Sequence, residues 1–570
     1  MLISVFSSVY ISQEAQSKYA RATNGLSQGT HIIPVHAATT SNILANNGDG
    51  LNSEAFAGNS STVLQKEQES SATAVKNFQD AFCGIDGAAG NSNTNGYVIE
   101  HTLPQNCEMP LGIAVDSDAQ RVWYISTKRG ILGSFNLKEN KFDDEHTIPI
   151  WNSRKEQTGF SQVWSLKIEN NNDNKQRVGG GASTDIWFTD TQQNAIWRYN
   201  KNSQVFNVYK IPGTSSSFNT IYPISLEFNS NNNKIFFVGT YSPSIWIGDI
   251  LKMRNGTSEG ISQIPIPIDK VTTFNGVDPL YITVGSLAID NKRNSVWVSV
   301  FSYGNKGEIF RYNLESQSFD KRFDLPAELN SPVGTVVDND NKKSDNLWIT
   351  NGGTSIFYQL NTNNGKITKF VTSKPSPRIF GQGLFDNINA KTKVRNNSGS
   401  NSSSNDNISK SENAYTLPYW IKTSSDGSLW FNEQEGNKIG RFNPRDMKLI
   451  EYWVPSQNKM WGSCTGNNSH SDENDESVGN DFNNDEIGNN NNNNDNQACG
   501  IANVLQFSID TETNSNNNND NIGNGHNNNG HSEHGNNHQQ IWFTEWSENK
   551  IAKVNSDDRL LPFSVVLPSV

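Results

Sequence analysis

Several things are scarce in this chain of 570 residues, and each scarcity excludes a class of function. Basic charge is in short supply, with 46 Lys and Arg against 58 Asp and Glu and a net charge of −12. A nucleic-acid binder needs clustered Lys and Arg to displace counterions from phosphates, so no nucleic-acid partner is expected. Long apolar runs are missing: no stretch reaches the roughly 18 residues needed to cross a bilayer. The C-terminal LLPFSVVLPSV (560–570) is short and carries two prolines, and no membrane span is expected. Cysteine is limited to four residues with no Cys-x-x-Cys spacing, which removes the footing for structural zinc or thioredoxin-like chemistry. Cys83 and Cys107 flank the entry to the first repeat, and Cys464 and Cys499 bracket a polar insertion. That placement suits two loop staples, Cys83–Cys107 and Cys464–Cys499, with four unrelated thiols as the other reading. Paired bonds belong outside the reducing cytosol, so an extracellular or secreted protein is expected, with the cytoplasm left open. The opening MLISVFSSVYIS is apolar like a secretory signal core but lacks the basic residues that precede one, which leaves cleavage undecided.

What the chain does have is a phrase repeated seven times: VWYIS (122–126), IWFTD (186–190), IFFVG (235–239), VWVSV (296–300), LWITN (347–351), LWFNE (429–433) and IWFTE (541–545). Each is preceded by an inner strand, as in PLGIAVD (110–116), and followed by two further strands separated by Gly, Asn and Asp turns. The alternation has the period of two expected of antiparallel strands. Units that cannot bury their faces alone close into a ring. The expected fold is therefore all-β, a seven-bladed β-propeller of four-stranded antiparallel blades. Six of the seven phrases carry Trp, and Phe236 stands in the third; these rings are expected between blades. Arg198, Arg311, Arg441 and Lys553 recur at one position of the third strands, which indicates a structural task in each blade, expected to be pairing between neighbours.

Residues 1–95 are rich in Ser, Ala, Asn, Gly and Gln and are expected to be mostly disordered, with a short helix near 72–82. The propeller is expected over 96–570, interrupted by low-complexity Asn-rich inserts at 391–413, 466–497 and 513–538. The third insert holds His526, His531, His534 and His538, a tract suited to adventitious metal binding without a fixed geometry. The strand YVIEHTLP (97–104) and the segment RLLPFSVVLP (559–568) compete to supply the outer strand of the last blade.

IWFTEWSENKIAKVN (541–555), LWFNEQEGNKIGRFNP (429–444) and PLGIAVD (110–116) resemble the blade repeat of the virginiamycin B lyase (streptogramin lyase) family, over roughly residues 97–557. The resemblance implies a lyase that opens the ester of a cyclic depsipeptide by elimination, with a histidine base and a glutamate-held magnesium ion. The family's histidines follow the residue that opens an inner strand in the last two blades. This chain has Tyr419 and Leu505 there, and Leu111, Trp164, Ile224, Gly285 and Val333 in the other blades. The family's base is absent from these positions, and Tyr419 or a carboxylate is the replacement candidate. His101 and His146 belong to outer strands.

The positions closing the aromatic strands are Ser126, Asp190, Gly239, Val300, Asn351, Glu433 and Glu545. Carboxylates facing one shaft repel each other unless a cation or protons intervene. Glu433, Glu545 and Asp190 are thus the candidate ligands of a Mg²⁺ or Ca²⁺ ion, or else pair with Lys438 and Lys550; no organic cofactor is expected. Tyr419, Trp420, Trp461 and Trp546 are expected on the same rim, an aromatic lining suited to a small molecule or cyclic peptide. Three functions follow: a monomeric propeller binding such a ligand at the channel mouth; a lyase or lactonase opening a cyclic ester with a non-histidine base; or a scaffold for a protein partner. A six-bladed lactonase could use Glu433, Asn351 and Asp190 around a metal, but seven aromatic strands argue against it.

Overall fold

The structure is a computed structural model. It describes residues 95–151, 163–169, 185–191, 193–213, 221–229, 233–240, 242–268, 282–302, 306–338, 345–373, 415–458, 501–509, 540–556 and 565–566. The N-terminal segment before 95, the three inserts, Trp461, Cys83, Cys464, Cys499 and the His-rich tract lie outside the described residues.

Seven antiparallel sheets form, each with four strands in simple meander order except the sixth and seventh. Their inner strands are Pro110–Asp116, Leu166–Ile168, Pro223–Asn229, Thr283–Asp290, Pro332–Val337, Pro418–Thr423 and Val504–Ile509. Each inner strand touches those of the neighbouring blades, and the seventh touches the first, so the ring is closed. The seventh sheet takes its outer strand from the other end of the chain: Val98–Thr102 pairs with Lys550–Asn555, with Val98 opposite Val554 and Thr102 opposite Lys550. The competition left open by the sequence is thereby resolved for YVIEHTLP. Val565–Val566 instead adds a fifth strand to blade six, opposite Lys448 and Leu449.

The aromatic strands hold the blades together. Trp123, Trp187, Phe236, Trp297, Trp348, Trp430 and Trp542 are all buried, and each sits in an apolar cluster shared with a neighbouring blade. A ring of this size supplies the largest single burial a residue can offer. The recurring cations act within blades, which corrects the expectation of pairing between neighbours. Arg198 lies over the Trp187 ring at 5.1 Å, Arg311 over Trp297 at 5.6 Å, Arg441 over Trp430 at 5.5 Å and Lys553 over Trp542 at 5.9 Å. The three arginines also pair with Asp185, Asp320 and Asp426 of their own blades. Third strand and aromatic strand are adjacent, so a long cation reaches the ring beside it more easily than the next blade.

His101 and His146 are packed by aromatics as outer-strand residues. His101 lies 4.5 Å from the Phe135 ring and 5.5 Å from that of Trp542; burial, then Lys553, pushes it down to about 4. His146 stacks between Trp123 and Tyr199.

Candidate functional site in the central shaft

Two layers occupy the shaft, an apolar cluster and a polar-lined cavity. In six blades the pairing of inner to aromatic strand slips at the same place: between Pro110 and Ile113, Pro223 and Ser225, Val284 and Leu287, Pro332 and Thr335, Pro418 and Ile421, and Val504 and Phe507. A bulge re-aims the side chains next to it. The residues that open or adjoin the inner strands gather in the shaft: Leu111, Trp164, Ile224, Val333, Tyr419 and Leu505 are buried in a single cluster with Trp420 and Trp546. Tyr419 meets the Trp420 ring edge-on at 5.3 Å, and Trp420 lies 6.5 Å from Trp164. Tyr419, Trp420 and Trp546, expected on an open rim, are instead buried in this apolar cluster.

Hydrogen bonds stitch this layer from blade to blade through the residue before the closing position of the aromatic strand. Thr350 Oγ1 accepts from the Gly334 N–H of its own blade at 3.0 Å and donates to the Tyr419 carbonyl of the next. Ser299 Oγ accepts from Ser286 N–H and donates to Val333 O. Asn432 Oδ1 accepts from Trp420 N–H at 2.8 Å while its Nδ2 donates to Val504 O at 2.6 Å, and Thr544 Oγ1 donates to Leu111 O. Bulged backbone groups that pairing cannot satisfy thus find partners. The sequence showed these residues as the Ser, Thr and Asn of four aromatic phrases, a signal overlooked beside the larger Trp and Glu.

Glu433 and Glu545 are fully buried in two clusters of the same design. In blade six, the Lys438 ammonium lies 3.4 Å from both Glu433 and Glu451 and donates to Ser373 Oγ at 2.7 Å. In blade seven, Lys550 donates to Glu100 at 2.9 Å and to Ser456 Oγ, while the Ser456 N–H donates to Glu100 at 2.8 Å. Glu100 pairs opposite Ala552 and Glu451 opposite Gly440, the same place in the two blades. Burial, then Glu451, holds Glu433 well above the usual carboxylate range against the pull of Lys438. Burial, then Glu100, does the same for Glu545 against Lys550. Of the expected pairings, Lys438 forms an ion pair with Glu433 at 3.4 Å, whereas the ion pair of Lys550 is with Glu100, and the carboxyl oxygens of Glu433 and Glu545 have no hydrogen-bond partner among the described residues.

A hard cation gathers six or more oxygens, but among the described residues no group of three or more His, Cys, Asp or Glu could hold a metal. Asp190 accepts from Trp197 Nε1–H at 2.9 Å and from Gln193 N–H at 3.0 Å.

The second layer is a cavity of about 380 Å³, lined by the later halves of the inner strands. It therefore lies at the opposite end of the shaft from the end where Glu433 and Glu545 close their strands. Its walls hold four buried polar atoms without a hydrogen-bond partner: Ser286 Oγ, Thr335 Oγ1, Thr423 Oγ1 and Trp420 Nε1. Three charged side chains join them, Lys167, Glu227 and Lys422. All three occupy one repeat position, the inner-strand residue paired with the interblade aromatic; the other blades have Ala114, Ala288, Val336 and Ser508 there. Lys167 and Glu227, in adjacent blades, form an ion pair at 2.6 Å. Lys422 donates to the Phe507 carbonyl and lies 5.0 Å over the Phe507 ring. Burial, then Lys167, pushes Lys422 down to about 7, with Glu227 opposing. Sequence reasoning missed this trio, although VWSLKI, YPISLEF and PYWIKT display it at the fifth, sixth and fifth letters.

No family model matches the chain, and no curated protein matches it. Similar solved structures include a virginiamycin B lyase from Staphylococcus aureus, with 17% identity, a TM-score of 0.45 and 80% of this chain covering 98% of that one. A streptogramin B lyase has 15% identity, a TM-score of 0.46 and coverage of 80% and 97%. A catalytically inactive S. aureus virginiamycin B lyase with quinupristin has 18% identity, a TM-score of 0.45 and coverage of 80% and 98%. The likeness to these lyases is one of fold, a β-propeller built from the repeat that the sequence displays.

Proposed function

We propose that the protein is a ligand-binding propeller whose site is the shaft cavity beside Lys167, Glu227 and Lys422, and that its ligand is a small anionic molecule. One observation carries this reading: four buried polar atoms without partners line the same cavity as two amines and a single carboxylate. Buried polar atoms left unpaired cost about 1–3 kcal/mol each, and a ligand with oxygen acceptors and hydroxyls satisfies them. The volume of about 380 Å³ falls within the ordinary range for small-molecule sites. Glu227 is held by Lys167, which leaves the Lys422 ammonium to attract negative charge.

The test is calorimetric titration of the full chain with small mono- and dicarboxylates and sugar acids, alongside a Ser286→Phe variant that fills the cavity. Saturable binding that the variant loses while keeping its circular dichroism spectrum supports the proposal. Binding unchanged in the variant, or no binding by any of the anions, overturns it.

A further inference from the structure

We propose that the Lys422 ε-amine captures the carbonyl group of a small oxo acid in the shaft cavity, forming a reversible imine. The inference rests on the cavity being the ligand site and adds the chemical class of the ligand. Lys422 is a costly residue to place here, because a buried ammonium without a carboxylate loses its hydration uncompensated. The other two charges of the ring neutralise each other at 2.6 Å, whereas the neighbouring blades offer Lys422 only Val336 and Ser508 at the equivalent position.

Its surroundings are those that activate a lysine. An amine becomes nucleophilic when it is desolvated, and Lys422 lines the shaft cavity, where burial is the main cause that pushes it down to about 7. The Phe507 carbonyl and ring hold the nitrogen in place between blades six and seven, and the residue remains partly accessible within the cavity. The charged groups facing Lys422 there are Lys167 and Glu227.

The step balances without an oxidant or reductant. The neutral amine attacks the carbonyl carbon, and a proton moves from nitrogen to oxygen to give a carbinolamine. Water then leaves and a carbon–nitrogen double bond remains. The ligand's own carboxylate offsets the positive charge of the protonated imine. The unpartnered hydroxyls of Ser286, Thr335 and Thr423 supply donors to that carboxylate.

The experiment treats the full chain with glyoxylate and sodium cyanoborohydride near neutral pH and maps the reduced adducts by peptide mass spectrometry. The expected result is saturable modification of Lys422 at least about tenfold faster than that of Lys252, whose side chain is 73% exposed. The rate should climb through about pH 7, and Lys422→Arg should lose the adduct while its melting curve stays cooperative. Modification of Lys422 no faster than that of Lys252, or not saturable in glyoxylate, overturns the inference. Calorimetry with malonate, which has no carbonyl able to form an imine, separates the two readings. Malonate binding without Lys422 modification removes the imine and leaves the cavity site standing; neither binding nor modification removes both.

Discussion

Lys550 of the last blade donates to Glu100 of the first described strand at 2.9 Å, a buried ion pair between residues 450 positions apart. The pair lies inside the seam that closes the ring, where strand Val98–Thr102 meets Lys550–Asn555. Removing one partner of a buried pair leaves the other charge unpaired at a cost of about 3–5 kcal/mol. Glu545 also faces Lys550, which places the expected loss for Glu100→Ala at the lower end, about 3 kcal/mol. The loss should appear as a lower denaturant midpoint in urea unfolding. Glu139→Ala, which breaks an exposed pair with Lys141, should shift it by less than about 1 kcal/mol.

Thr350 offers a test of the hydrogen-bonded ring around the shaft. Thr350→Val keeps the shape but strips both the acceptor for Gly334 N–H and the donor for Tyr419 O. The Gly334 N–H loses this acceptor and the Tyr419 carbonyl loses this donor, and a destabilisation of about 1–3 kcal/mol is expected. Thr350→Ser should restore most of it. Thermal unfolding of the two variants distinguishes a hydrogen-bonding role from simple packing, for which Val would serve as well as Thr.

Gly334 tests how closely the blades approach. A Cβ built there lies 2.5 Å from the Tyr419 carbonyl oxygen and 2.9 Å from Ile421 N, backbone atoms of the next blade that cannot swing away. Gly334→Ala should therefore force blades five and six apart and lower the melting temperature by several degrees, the scale of about 1–3 kcal/mol for overpacking. By contrast, Gly256 has no atom within 4 Å of such a Cβ but sits at φ +80°. Gly256→Ala should register backbone strain of about 1 kcal/mol without disturbing blade contacts.

The blade count, the interblade aromatics and the inner-strand positions were legible because each recurs seven times at fixed offsets, and recurrence reports what every blade needs. The candidate site was legible only in part, for the opposite reason. Glu433 and Glu545 stood out as acids at a repeated position, but their partners Glu451 and Glu100 lie in outer strands, and Glu100 comes from the far end of the chain. No local spacing announces such a cluster. Tyr419 and Trp420 were legible as residues of the inner strand of blade six, yet whether a ring there faces solvent or the residues at the matching position of other blades depends on the bulge at Pro418 to Ile421. Lys167, Glu227 and Lys422 put charge at a position that is uncharged in the other four blades, a pattern that requires the register of inner to aromatic strand to be known residue by residue.

Lys422 makes a prediction about pH that does not depend on any ligand. In the folded chain burial pushes it down to about 7, while an unfolded lysine titrates near ~10.4. Between these values the unfolded chain binds more protons than the folded one, so stability rises with pH across that window. The stabilising term is fully present above the unfolded value and is lost as pH falls through about 7, below which the fold carries the whole cost of a buried ammonium. Lys422→Met removes the titrating group and keeps the stem. The melting temperature of Lys422→Met relative to the unaltered protein should therefore be most favourable at about pH 6 and become steadily less so towards about pH 10. Thermal melts at about pH 6, 8 and 10 read the slope, and the slope isolates the charge because the lost Phe507 contact shifts all three points alike. A difference independent of pH would show that Lys422 titrates as an ordinary solvated lysine and that the shaft does not desolvate it.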